Sequence, residues 1–258
     1  MHRVHGIARQ RCRPVVVACL WLYAVALPPS AWALPTIQYE LADAHSGEVL
    51  SSVWGWVEEP EDGSAPVTAV SATTFAKGSQ LSQRVVFTRE TPPRCLSWES
   101  ILRDKNGSVL VTNHTQWVAE VSPLLATAFP ERTYPMEGMG YALTHLGLGR
   151  EERTEIHTLF GATLAQVDLW LDGSETVRVP AGEFRCHRVR MRANAESLFP
   201  KLPAFLRPVL SFFIPTYTLW LTIEEPQRLV QFRGQMGPPG SPELLMRMMR
   251  VRDQPPMP

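Results

Sequence analysis

Tyr217-Thr218-Leu219-Trp220-Leu221-Thr222-Ile223-Glu224 is the stretch on which the fold turns. Tyr217, Leu219, Leu221 and Ile223 alternate with Thr218, Trp220 and Thr222, the period of two that lays one face of a strand on a core. Glu225-Pro226 closes it, and Arg228 to Arg233 reads as the strand returning alongside. Upstream, Glu152 to Phe160, Leu164 to Leu171, Glu175 to Val179 and Glu183 to Met191 read as successive strands. In the last of these Phe184 and Cys186 have one parity and Val189 and Met191 the other, so a bulge is expected near His187-Arg188. Nearer the N-terminus, Thr36 to Ala42, Val49 to Glu58, Leu81 to Thr88, Cys95 to Leu102 and Val109 to Val118 have strand composition. Gly47 marks a turn within Asp43 to Glu48, and Asn106-Gly107 supplies the positive φ that a hairpin needs. Short strands with turns between them, and no internal repeat, predict a mainly β chain. The expected form is a single curved antiparallel sheet, a half-barrel or open barrel.

Three segments depart from this rhythm. Ser122 to Phe129 reads as a short helix with Pro123 in its first turn. Residues 136–149, rich in Gly and Met, follow neither period. Ser241-Pro242-Glu243 is a helix-start signature, so residues 236–258 are expected to form a short C-terminal helix and a tail.

The most informative departure is an apolar insertion, residues 194–215. Leu202, Phe205, Leu206, Val209, Leu210 and Phe213 recur at helical spacing, flanked by Lys201 and Arg207. Pro203 suits a helix start, whereas Pro208 removes an interior hydrogen bond and kinks the segment. Its apolar face must plug the sheet, line a ligand cavity or touch a bilayer surface. Tryptophan is plentiful in the strands, at Trp54, Trp56, Trp98, Trp117, Trp170 and Trp220. Indoles there either fill core volume or line an apolar pocket. The candidate ligand-binding residues are Leu202, Phe205, Leu206, Val209, Phe213 and Trp220.

The N-terminal end gives the compartment. Arg3, Arg9, Arg11 and Arg13 precede an apolar run from Val15 to Leu27, and Ala31-Trp32-Ala33 follows. A charged start, a short greasy middle and a small-x-small site define a cleavable secretion signal, residues 1–33. A run of 13 residues is shorter than the ~20 needed to cross a bilayer as a helix, so no transmembrane span is expected in the mature chain. Cys19 sits inside that run instead of after it, which disfavours a lipid-modified cysteine. The mature chain, residues 34–258, holds a sheet domain over 34–235 and is placed in the periplasm.

The whole chain carries 25 cations and 25 anions. Four of the cations leave with the signal, and a net charge of −4 gives no basic footprint for nucleic acid. Cys95 and Cys186 are the cysteines of the mature chain. An even pair in an oxidising compartment makes them a disulfide candidate, the alternative being two buried thiols. The histidines show no paired ligand spacing, so no metal and no cofactor are expected. No nucleophile elbow is present, and Ser174 in Asp172-Gly173-Ser174 reads as a turn residue, so no catalytic residue is assigned.

Val179-Pro180-Ala181-Gly182-Glu183-Phe184-Arg185-Cys186, followed by Tyr217…Trp220 and Arg228-Leu229-Val230-Gln231-Phe232, resembles a family of exported bacterial proteins of unassigned function. That family carries a "V-P-A-G-x-F-x-C" hairpin on a curved sheet similar to the lipoprotein-carrier half-barrel. The resemblance covers roughly Tyr134 to Gly234 and implies a fold and a compartment, with no catalytic residues. The resulting expectation is a periplasmic, non-enzymatic carrier of a lipid or acyl chain. A module that docks another envelope protein through the same insertion is the alternative, and a hydrolase without a recognisable motif the second alternative.

Overall fold

In the computed structural model the described residues are 35–59, 65–116, 129–148, 153–160, 163–199, 203, 205, 211–235 and 241–252. The signal segment, residues 122–128 of the helix expected over Ser122 to Phe129, Trp117, and Leu202, Leu206 and Val209 of the insertion lie outside them.

The first half is a meander: β1 (Thr36–Asp43), β2 (Val49–Glu58), β3 (Val67–Phe75), β4 (Gln80–Phe87), β5 (Cys95–Arg103) and β6 (Val109–Gln116). A two-residue strand β7 (Thr133–Tyr134) leads into a 3-10 turn, Met136–Gly138, and helix α1 (Met139–His145). The second half holds β8 (Arg153–Phe160), β9 (Thr163–Val179), β10 (Gly182–Ala193), the short helix α2 (Ala195–Leu198), β11 (Thr216–Thr222), β12 (Leu229–Gln235) and β13 (Glu243–Arg252). All thirteen strands form one open sheet in the order β6-β5-β4-β3-β2-β1-β13-β12-β11-β10-β9-β8-β7. Neighbours are antiparallel except β7 and β8.

The expected C-terminal helix is a strand. β13 fills the gap between β1 and β12, pairing Met246 with Leu41 on one side and with Phe232 on the other. Within the sheet it joins the two halves, and its Met246 and Met248 are buried in the common core. Two unsatisfied sheet edges facing each other outweigh the helix propensity of Leu and Met.

One helical segment fixes the curvature. The 3-10 turn touches both β4 and β8, which stand nine spacings apart in the strand order. Laid flat that is about 43 Å, far beyond the reach of one turn, so the sheet curls round residues 136–145. Met139, Tyr141, Ala142 and Leu143 are buried there, and the Phe87 ring of β4 stacks on Tyr141 at 4.8 Å. The concave face therefore has its own plug, built from the segment that follows neither sequence period.

The irregularity foreseen near His187-Arg188 is present as a register shift between Arg188 and Val189, with Asp172 as the extra residue of β9. Beyond it the β9–β10 hairpin reaches across to β13, and the Ala181 N–H donates to the Met248 carbonyl at 3.2 Å. This bend buries Val177, Val179 and Cys186 in the same core as Val189 and Met191, which explains why both parities of β10 are apolar. Cys95, in β5, and Cys186 are both free and buried, so the expected disulfide is not formed.

Candidate functional site

The insertion leaves the sheet at Ala193 and rejoins it at Thr216, and both roots are tied down. The Asn194 side chain caps α2 by accepting from the Glu196 N–H at 2.8 Å. Ser197 Oγ donates to the Asn194 carbonyl and accepts from the Gln166 N–H, each at 2.9 Å, which pins α2 to β9. On the return, the Arg192 guanidinium donates to the Ser211 carbonyl.

Directly below these roots is an apolar depression. Its floor comes from the plug, Met136 and Met139, and its walls from Thr158, Val167, Met191, Ala193 and Tyr217. The centre of a water-sized sphere can move through only about 10 Å³ there, the room of roughly one water. The Thr158 hydroxyl is buried without a partner among the described residues. The Tyr217 ring stacks on Phe232 at 5.7 Å and lies over Gly234, where a Cβ would come within 2.3 Å of it. Met136 and Met139 share a face because they are three residues apart, and that spacing was the available sequence signal for this site.

The described part of the insertion turns apolar rings outward. Phe212 is 84% exposed, Phe205 76%, Phe213 49% and Phe199 39%. Phe212 and Phe213 meet edge to face at 5.7 Å. Of the six candidate ligand residues, Phe205 and Phe213 are therefore surface groups at the insertion. Trp220 is placed elsewhere: its indole N–H donates to Glu175 Oε1 at 2.7 Å. Leu219 and Leu221 beside it point into the core, so Trp220 stands on the opposite face from Tyr217 and the depression. There it joins an ion network in which Arg188 contacts Asp172 and Glu175, and Arg190 contacts Asp172 at 2.9 Å.

The electrostatics of the concave face are set by burial. Desolvation pushes the Glu137 carboxyl, in the 3-10 turn, up to about 7, and no ion pair to it exists among the described residues. Burial likewise raises the Cys95 thiol, with Glu137 adding to the rise, and pushes Cys186 up to about 12. Neither thiol is a nucleophile at neutral pH. Ser174 Oγ and His187 Nδ1 lie 3.2 Å apart on exposed strand positions. No carboxylate orients that ring among the described residues, so a serine–histidine–carboxylate relay is not assembled. No cluster of three or more His, Cys, Asp or Glu suited to a metal occurs among them either.

No protein-family model matches the chain, and no curated protein matches it. Solved structures do. One is a Bacteroides fragilis protein described as exported and of YmcC-like fold, 12% identical, covering 91% of this chain and 100% of its own, with a TM-score of 0.37. Another is a protein from Parabacteroides distasonis described as a lipoprotein, 10% identical, covering 89% of this chain and 99% of its own, with a TM-score of 0.32.

Proposed function

We propose that this chain is an exported, periplasmic carrier that binds an apolar ligand, a lipid or acyl chain, without turning it over. The exposed Phe205, Phe212 and Phe213 carry this reading. Large rings grouped on one insertion and left in water mark a surface meant for an apolar partner. The plug at residues 136–145 already packs into the core on the concave face. In the depression, Met136, Met139 and Met191 offer flexible thioethers that can repack around an irregular apolar chain. Export rests on the four arginines, the apolar run and Ala31-Trp32-Ala33. No helix among the described residues is long and apolar enough to cross a membrane.

The test begins with mass spectrometry of the protein after gentle purification, and flotation with vesicles of phosphatidylethanolamine and phosphatidylglycerol. Bound lipid or co-flotation is expected for the native chain, and loss of both in a Phe212→Ser/Phe213→Ser pair that melts at an unchanged temperature. A lipid-free protein that never floats, or a pair that loses stability because its rings are core, would overturn the reading. A protein partner lost in the same pair would instead make the insertion a docking element.

A further inference from the structure

The two edges of the sheet are unlike. β7 is two residues long and buried, an edge too short to recruit another strand. β6 is eight residues long, pairs only with β5 among the described residues, and is exposed along almost its whole length. Its sequence, Val109-Leu110-Val111-Thr112-Asn113-His114-Thr115-Gln116, contains no Asp, Glu, Lys, Arg or Pro. Val109, Leu110 and Val111 are 53%, 57% and 44% exposed. Natural sheets guard such edges with charge, proline, brevity or a bulge. β6 has only the last of these, a bulge at Leu110 near its start, where Val109 faces Arg103 and Val111 faces Leu102.

We propose that β6 is a self-association edge, on which two copies of this chain pair antiparallel about a two-fold axis through Thr112. A second copy fits because a neutral strand meets itself without like-charge repulsion, and two-fold pairing is the commonest way identical chains associate. The axis must stand perpendicular to the sheet, so each residue faces one of its own parity. Centring on Thr112 puts the axis near the middle of the strand. Thr112 then faces Thr112 of the second copy and Val111 faces Asn113, with the Leu110 bulge outside this pairing. Val111 and Asn113 sit opposite Leu102 and Ser100 of β5, so both concave faces open on the same side. A strand-edge contact is small beside a standard interface of about 1,600 Å², and the dimer is therefore concentration-dependent.

Sedimentation of the exported chain over a range of concentrations reads the dimer, and Thr112→Lys, which opposes two ammonium groups on the axis, should weaken it at least tenfold. Thr112 is exposed, and an unchanged melting temperature confirms that the variant folds. Register is read by cysteine: opposed Cβ atoms about 5 Å apart lie near disulfide reach. Thr112→Cys should cross-link. Leu110→Cys, roughly 13 Å from its copy in this register, should not. A chain that stays monomeric at every concentration overturns the proposal. So does a dimer indifferent to Thr112→Lys, equal cross-linking at both positions, or a foreign protein whose co-purification Thr112→Lys abolishes while the chain itself stays monomeric.

Discussion

Replacing Gly138 by Ala sets two physical effects of opposite sign against each other. Gly138 has φ −97° and ψ −2°, a conformation that alanine adopts without strain. On backbone entropy alone the change should stabilise the fold by about 0.4–1 kcal/mol. The added Cβ, however, would lie 2.6 Å from Phe87 Cζ and 3.0 Å from Val85 Cγ1. Phe87 is wholly buried, stacked on Tyr141 at 4.8 Å and 6.4 Å from Tyr134, so its ring has nowhere to retreat. Overpacking of this kind costs about 1–3 kcal/mol, which leaves a net loss of roughly 1–2 kcal/mol. Urea unfolding followed by circular dichroism should show a lower midpoint at an unchanged slope. Phe87→Leu removes the closer clash and leaves only the Val85 contact, and in that background Gly138→Ala should cost less, a coupling of about 1 kcal/mol or more. Equal losses in both backgrounds, or a single variant as stable as the native chain, would refute the plug's close seat on β4.

Gly234→Ala should displace the Tyr217 ring, which would lie 2.3 Å from the new Cβ. Stability should fall by about 1–3 kcal/mol, and an increase in tyrosine ring mobility by NMR checks the mechanism. The Glu137 carboxyl, raised from 4.5 to about 7 by burial, holds its proton more tightly in the folded chain than in the unfolded one. Its contribution is complete below pH 4.5 and is lost as pH rises through 7. Glu137→Gln should therefore match the native chain in thermal melts at about pH 4 and exceed it at about pH 8, by on the order of 3 kcal/mol. Cys95 and Cys186 should titrate as two free thiols when the exported chain is unfolded without reductant, and react slowly while it is folded.

Strands were legible where one face is buried and the other wet. Val49 to Glu58 shows that alternation, and Tyr217 to Thr222 shows it in residue type although Thr218 and Thr222 are buried as well; both strands lie within two residues of where the pattern puts them. β3 was not, because its inward residues Ala69, Ser71 and Thr73 are too small and too polar to stand out. Leu164 to Leu171 and Glu175 to Val179 read as two strands but are one, since Asp172 and Gly173, with φ +131°, make a bulge and not a break. β13 carries helix formers and a good cap. What makes it a strand is the pair of open edges at β1 and β12, a long-range fact absent from any local window.

The plug was illegible for a related reason. From Met139 to Thr144 every residue of α1 is buried, and a helix apolar all round shows no amphipathic period. That enclosure bears on the candidate site as well. Among the described residues the sheet is wrapped on its own helix, and the depression near the roots of the insertion has room for about one water. An acyl chain bound at this depression either stays at the rim among the exposed phenylalanines or pushes in against Met136 and Met139. The second route moves the plug and with it Gly138, whose fit against Phe87 leaves no slack. Ligand binding by that route should be sensitive to Gly138→Ala, whereas binding confined to the rim should respond to Phe212→Ser and Phe213→Ser alone. The two sets of variants together locate the ligand, whatever its chemical identity.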